Sequence, residues 1–128
     1  MMTTSEILAG ALALFQTGPR GRRLRRPRWS TGMAYNKHTD TYCALGALSQ
    51  VATGRANASA YYWRGSLRSA AQLVAKHIPR RYKLCTDDPS QVISWNDELP
   101  RRTGFKQVKQ VFCKALQESL AIERKRQK

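Results

Sequence analysis

Between Tyr42 and Gly54 no side chain is charged at neutral pH, in a 128-residue chain that carries 23 Lys and Arg against 8 Asp and Glu, a formal net charge of +15. The run Tyr42-Cys43-Ala44-Leu45-Gly46-Ala47-Leu48-Ser49-Gln50-Val51-Ala52 reads as a helix, with Asp40 or Thr41 placed to cap its start and Gly54 to stop it. A helix that is apolar nearly all round has to be enclosed by other elements. Ala44, Gly46 and Ala47 are small enough for neighbouring helices to approach closely. This segment therefore belongs at the centre of the fold, and the charge belongs on elements wrapped around it.

Those elements can be placed by periodicity. Thr3-x-x-Glu6 has capping-box spacing, Ile7, Leu8, Ala11, Leu12 and Phe15 follow at helical intervals, and Gly18-Pro19 ends the first helix. From Trp29 to Tyr35, alternate residues Trp29, Thr31, Met33 and Tyr35 predict a short extended segment broken at Gly32. A third helix is expected to begin near Asn57 and to cover Leu67 to Ile78, with Pro79 forcing its end. Val92 to Trp95 leads into Asn96-Asp97, read as a turn in which the Trp95 indole plugs the core and Asn96 and Asp97 bond backbone groups. A last helix, capped by Thr103, turns Phe105, Val108, Val111, Phe112, Ala115, Leu116 and Ile122 inward. The fold class is therefore mainly α: a compact four-helix single domain over 1–128, with one or two short extended segments, a basic arm or loop at 19–28 and a charged tail at 123–128. At 41% hydrophobic the chain suits one modest core.

The pieces Tyr42-Cys43-Ala44-Leu45-Gly46-Ala47-Leu48, Val92-Ile93-Ser94-Trp95-Asn96-Asp97, and Thr103 with Val108, Phe112 and Ala115 occur in a characteristic order. In these the chain resembles a family of small, largely uncharacterised bacterial and bacteriophage proteins marked by a Cys-Ala-(Leu or Ile)-Gly-Ala-Leu helix and a downstream Trp-Asn-Asp. The resemblance implies a helical domain with a minor extended element and supplies no activity. Its pattern is departed from in the Arg20 to Arg28 insertion and in the overall basicity.

Six of the nine residues from Arg20 to Arg28 are arginine. Such an excess of like charge opposes compaction, and an anionic partner offsets it. Three basic elements are candidate phosphate contacts. They are Arg20, Arg22, Arg23, Arg25, Arg26 and Arg28 beside Trp29; Arg80, Arg81 and Lys83 around Tyr82; and Arg101, Arg102, Lys106, Lys109 and Lys114 on the last helix and its entry. Arginine pairs phosphate in bidentate geometry, and an adjacent aromatic ring offers a stacking platform for unpaired bases. No sequence-reading motif is identifiable.

Chemistry is harder to assemble. Cys43, Cys85 and Cys113 are far apart and outside any Cys-x-x-Cys spacing, which argues against a disulfide framework and a structural metal site and suits a reducing cytoplasm. Cys43 near a helix start, with His38 or His77 and Asn96 or Asp97, could be drawn as a thiol nucleophile with its base and orienting group, but a cysteine in an apolar helix behaves as a small hydrophobe. Neither a signal peptide nor a membrane span is visible. The sequence thus points to a non-enzymatic basic accessory or regulatory protein of phage or mobile-element type, bound to DNA or RNA, with no cofactor and no metal. The alternatives are a phage inhibitor occupying an acidic surface of a host or defence factor, and a thiol enzyme built on Cys43.

Overall fold

The computed structural model describes residues 2–18, 21–60, 63–80 and 88–127. Helix α1 (Thr4–Gln16) starts from the expected capping box: the Thr3 hydroxyl accepts from the Glu6 N–H at 3.1 Å, and the Thr3 N–H donates to the Glu6 carboxylate at 2.9 Å. Its buried face is Ile7, Leu8, Ala11, Leu12 and Phe15. A two-stranded antiparallel hairpin follows, β1 (Tyr35–Asn36) and β2 (Thr41–Tyr42), with Tyr35 opposite Tyr42 and Asn36 opposite Thr41. The expected extended segment is regular only at its ends: Trp29 bridges Tyr42, Gly32 turns the chain at φ +89°, and Tyr35 rejoins the ladder.

Helix α2 (Ala44–Thr53) is the central element, with Ala44 to Ser49 all buried and Gly54 closing it in the left-handed conformation at φ +81°. Its start differs from expectation in one respect. Cys43, not Asp40 or Thr41, is the capping residue, and its thiol sulfur accepts from the Gly46 N–H at 3.2 Å. Gly46 is small for a different reason from helix packing: a Cβ there would fall on the carbonyl group of Ala34, in the segment leading to β1. Backbone cannot retreat as a flexible side chain can, so Gly46→Ala is expected to destabilise the protein by about 3 kcal/mol, the upper end of the usual overpacking cost, read as a lowered urea midpoint.

Helix α3 (Gly65–His77) begins later than Asn57. The Asn57 side chain instead accepts from the Ser59 N–H at 2.6 Å, a local turn that competes with helix. Ile78, extended before Pro79, ends it as expected. The Trp95-Asn96-Asp97 turn is a helix, α4 (Gln91–Glu98), so among the described residues five helices stand where four were expected. Val92, Trp95 and Leu99, all buried, are spaced for a helix that presents one stripe inward. Helix α5 (Gly104–Arg126) is the longest and takes in most of the expected tail. Thr103 holds its N-cap position without a side-chain hydrogen bond, and Ile122, expected inside, is exposed near its end.

One hydrophobic cluster draws on every helix and on the hairpin. Helices α1 and α5 run antiparallel. The Phe15 ring meets Phe105 and Phe112 edge-on at 5.3 and 5.7 Å, while at the other end the Ser5 hydroxyl donates to that of Ser119 at 2.8 Å. The end of α1 and the start of α5 therefore lie together, and that is where the arginine run leaves α1.

Candidate nucleic-acid interface

The arginine run is folded back on the end of α1. Gly18 N–H donates to Arg22 O, Leu24 N–H to Gln16 O and Arg28 N–H to Phe15 O, at 2.6, 3.0 and 2.6 Å, and Thr17 bridges Arg23. Leu24 is half-buried against Gly18 and gives the loop an apolar anchor. Between these tethers Arg22, Arg23, Arg25 and Arg26 are exposed and make no side-chain hydrogen bond or ion pair among the described residues. Arg20 lies outside the described residues.

Arg28 and Trp29, proposed from the sequence as contacts, are used internally. The Arg28 guanidinium is 17% exposed; it donates to the Asp40 carboxylate at 2.8 Å and to the carbonyls of Asp40 and Thr17 at 3.2 Å, and it lies 5.4 Å above the Tyr42 ring. The Tyr35 hydroxyl donates to the same carboxylate at 2.9 Å. The Arg28 hydrogen bond holds the Asp40 carboxyl below its ordinary value, and the Asp40 bond in turn raises the Tyr35 phenol. A carboxyl depressed by folding stabilises above its unfolded pKa and ceases to do so as pH falls through its folded value. The gap in denaturation midpoint between wild type and Asp40→Asn should therefore hold through the neutral range and shrink below about pH 4; a gap independent of pH would contradict the pairing.

Trp29 is 7% exposed, and its indole N–H donates to the Asn96 side-chain oxygen at 2.7 Å, which removes it as a stacking platform. Asn96, itself 1% exposed, also accepts from the Ala44 N–H at 3.1 Å and donates to Ser30 O at 3.1 Å. Asp97 accepts from the Gly32 N–H at 2.8 Å. The expected backbone bonds of Asn96 and Asp97 thus exist, but their partners lie in the Trp29 segment and at the start of α2 instead of in a local turn. One side chain on α4 caps α2 and locks the root of the arginine loop to both. Trp95 is fully buried, as expected.

Trp29 packs its ring on Gly104, where a Cβ would lie 2.6 Å from the ring edge, so the loop root rests on the first residue of α5. Arg101, Arg102, Lys106 and Lys109 are exposed at that same end. Two of the three basic elements thus lie toward the same end of the fold. Arg80 is exposed beyond α3, whose last turn pairs with Glu118 through Lys76 at 2.8 Å and His77 at 3.4 Å. Fourteen residues separate Glu118 from Gly104, roughly 20 Å along α5. Arg80 is therefore remote from the loop, and Arg81, Tyr82 and Lys83 lie outside the described residues. Lys114 is exposed on α5, roughly 15 Å from its start.

A family model described as a family of unknown function (DUF6197) matches residues 2–118. The chain belongs to this family. No curated protein and no solved structure matches the chain significantly. The span matched by DUF6197 takes in the arginine loop, the Cys43 helix and the Trp95-Asn96-Asp97 helix together.

In this DUF6197 chain Cys43 borders a small cleft of about 50 Å³ with Met33, Ile93, Asn96 and Asp97. Neither histidine lines it: His38 is exposed in the hairpin turn, and His77 faces Glu118. Burial pushes the Cys43 thiol above its usual value despite the Gly46 N–H bond. Iodoacetamide at neutral pH should accordingly leave Cys43 unmodified in the folded protein and label it on unfolding, followed by mass spectrometry; rapid labelling in the native state would revive the thiol-enzyme alternative. Among the described residues no three His, Cys, Asp or Glu side chains are grouped to hold a metal ion, and no helix is long and apolar enough to cross a membrane.

Proposed function

We propose that the protein is a non-enzymatic nucleic-acid-binding accessory or regulatory protein that holds the phosphate backbone on its basic end. The observation that carries this reading is the set Arg22, Arg23, Arg25 and Arg26, exposed without internal partners on a loop pinned to the end of α1, whose root rests on Gly104 at the end of the fold where Arg101, Arg102, Lys106 and Lys109 are exposed. Of the acidic side chains, Asp40 binds Arg28, Glu118 pairs with Lys76, and Glu6 and Glu123 accept from backbone N–H groups of α1 and its cap, which leaves Asp97, bonded to the Gly32 N–H, and Glu98 exposed at this end. Eight exposed cations, four on the loop and four at the start of α5, thus outnumber the carboxylates at this end, the condition under which protein cations displace the counterions condensed on a nucleic acid. A phage or mobile-element setting and a cytoplasmic location come with the proposal through the sequence resemblance and the unpaired cysteines.

The same charge suits an acidic protein surface, so the test must separate the two. Fluorescence anisotropy of the purified full chain against a labelled duplex of about 30 base pairs at about 50 mM salt should give saturable, salt-reversible binding. An affinity weaker than about 10⁻⁴ M for duplex and single-stranded DNA and RNA alike, below ordinary non-specific binding, would refute the proposal and leave the acidic protein partner.

A further inference from the structure

We infer that the partner of the basic end is a duplex, gripped by its backbone, in preference to a single strand. This rests on the nucleic-acid reading above and adds to it the kind of nucleic acid. Single-strand binders combine a positive groove with aromatic faces on which successive bases stack. Among the described residues no ring at this end is fully exposed to serve as such a face. Phe15 and Phe112 are fully buried, and Phe105 is half-buried in a T-shaped contact with Phe15. Trp29 is enclosed and bonded to Asn96, while Tyr42 is buried with Tyr35 packed on it at 4.8 Å and tied by its hydroxyl to Asp40. The charged groups projecting to solvent here are mainly guanidinium and ammonium, against the carboxylates of Asp97 and Glu98.

The mounting of the loop points the same way. It is tethered at three backbone positions and at Arg28, so it presents a fixed surface and does not wrap a flexible strand. A stiff, regularly charged rod matches a fixed patch.

The test is competition anisotropy with the full chain at one salt concentration, comparing duplex DNA and duplex RNA each with its own single strands of equal length. Either duplex binding at least about tenfold more tightly than its strands supports the inference, and the two arms tell which helix is taken. The Arg22→Gln, Arg23→Gln, Arg25→Gln, Arg26→Gln variant, checked for native circular dichroism, should bring that ratio close to one. Single strands binding as tightly as duplex, or a ratio unchanged in the variant, would overturn the inference while leaving nucleic-acid binding intact. Binding of neither form would overturn the underlying reading as well.

Discussion

Replacing Arg22, Arg23, Arg25 and Arg26 together by glutamine is expected to weaken duplex binding roughly four-thousandfold at about 0.1 M salt, with the fold unchanged. The size follows from counterion release: each lost phosphate contact removes about 0.9 from the slope of log K against log salt, so four contacts are worth about 3.6 decades one decade below the 1 M reference. The fold should survive because these four side chains are exposed and bond to nothing among the described residues, the loop being held by backbone bonds and Leu24. Anisotropy gives the affinity, and the thermal midpoint gives the control. Deleting the whole run is a poorer experiment. It would remove Arg28, which ties the loop to Asp40, Thr17 and Tyr42, and so confound binding with folding. Arg28→Gln alone should lower the midpoint while affecting affinity far less than the fourfold variant.

The second large effect falls on a residue with no charge. Asn96→Ala is expected to destabilise the protein by about 4 kcal/mol, since each buried polar group left unsatisfied costs about 1–3 kcal/mol. The change strands the Trp29 indole N–H, the Ala44 N–H and the Ser30 carbonyl at once. At roughly 4 °C per kcal/mol for a chain of this size, the midpoint should fall by roughly 15 °C. Asn96→Asp separates shape from charge. It keeps the acceptor but loses the donor to Ser30, and above the carboxyl pKa it places a negative charge in a site that is 1% exposed. A buried carboxyl titrates high, so this variant should be least impaired at acid pH and most impaired at neutral pH. An Asn96→Ala midpoint equal to wild type would show that the three bonds do not hold the loop root to α2 and α4.

Local signals in the sequence were strong where the physics is local. Thr3 and Glu6 sit three apart and form the box that spacing predicts; Pro79 ends α3; and the uncharged run from Tyr42 is the buried centre because no neighbour can tolerate it elsewhere. Helix α4 was missed because it is only eight residues long, has no side-chain cap and contains Asn and Asp, which favour turns. Its Val92, Trp95 and Leu99 spacing was the available signal. Arg28 and Trp29 read as the end of a binding run because their partners are remote: Asp40 lies 12 residues away and Asn96 lies 67 away. Composition marks a basic run as a unit, but tertiary bonding divides it. Two of its members became structural pins, and the four between the tethers kept their charge for solvent. The adjacency of this loop to Arg101, Arg102, Lys106 and Lys109 depends on α1 and α5 lying antiparallel, which no short-range pattern encodes.

The most direct test of the basic end as a phosphate-binding surface is the salt dependence of duplex affinity, measured on the intact chain and on the fourfold glutamine variant. Eight contacts predict a slope of log K against log salt near −7 for the intact chain, and four predict about −3.6 for the variant. Equal slopes for the two proteins, or an affinity that barely changes from about 50 to about 300 mM salt, would contradict it.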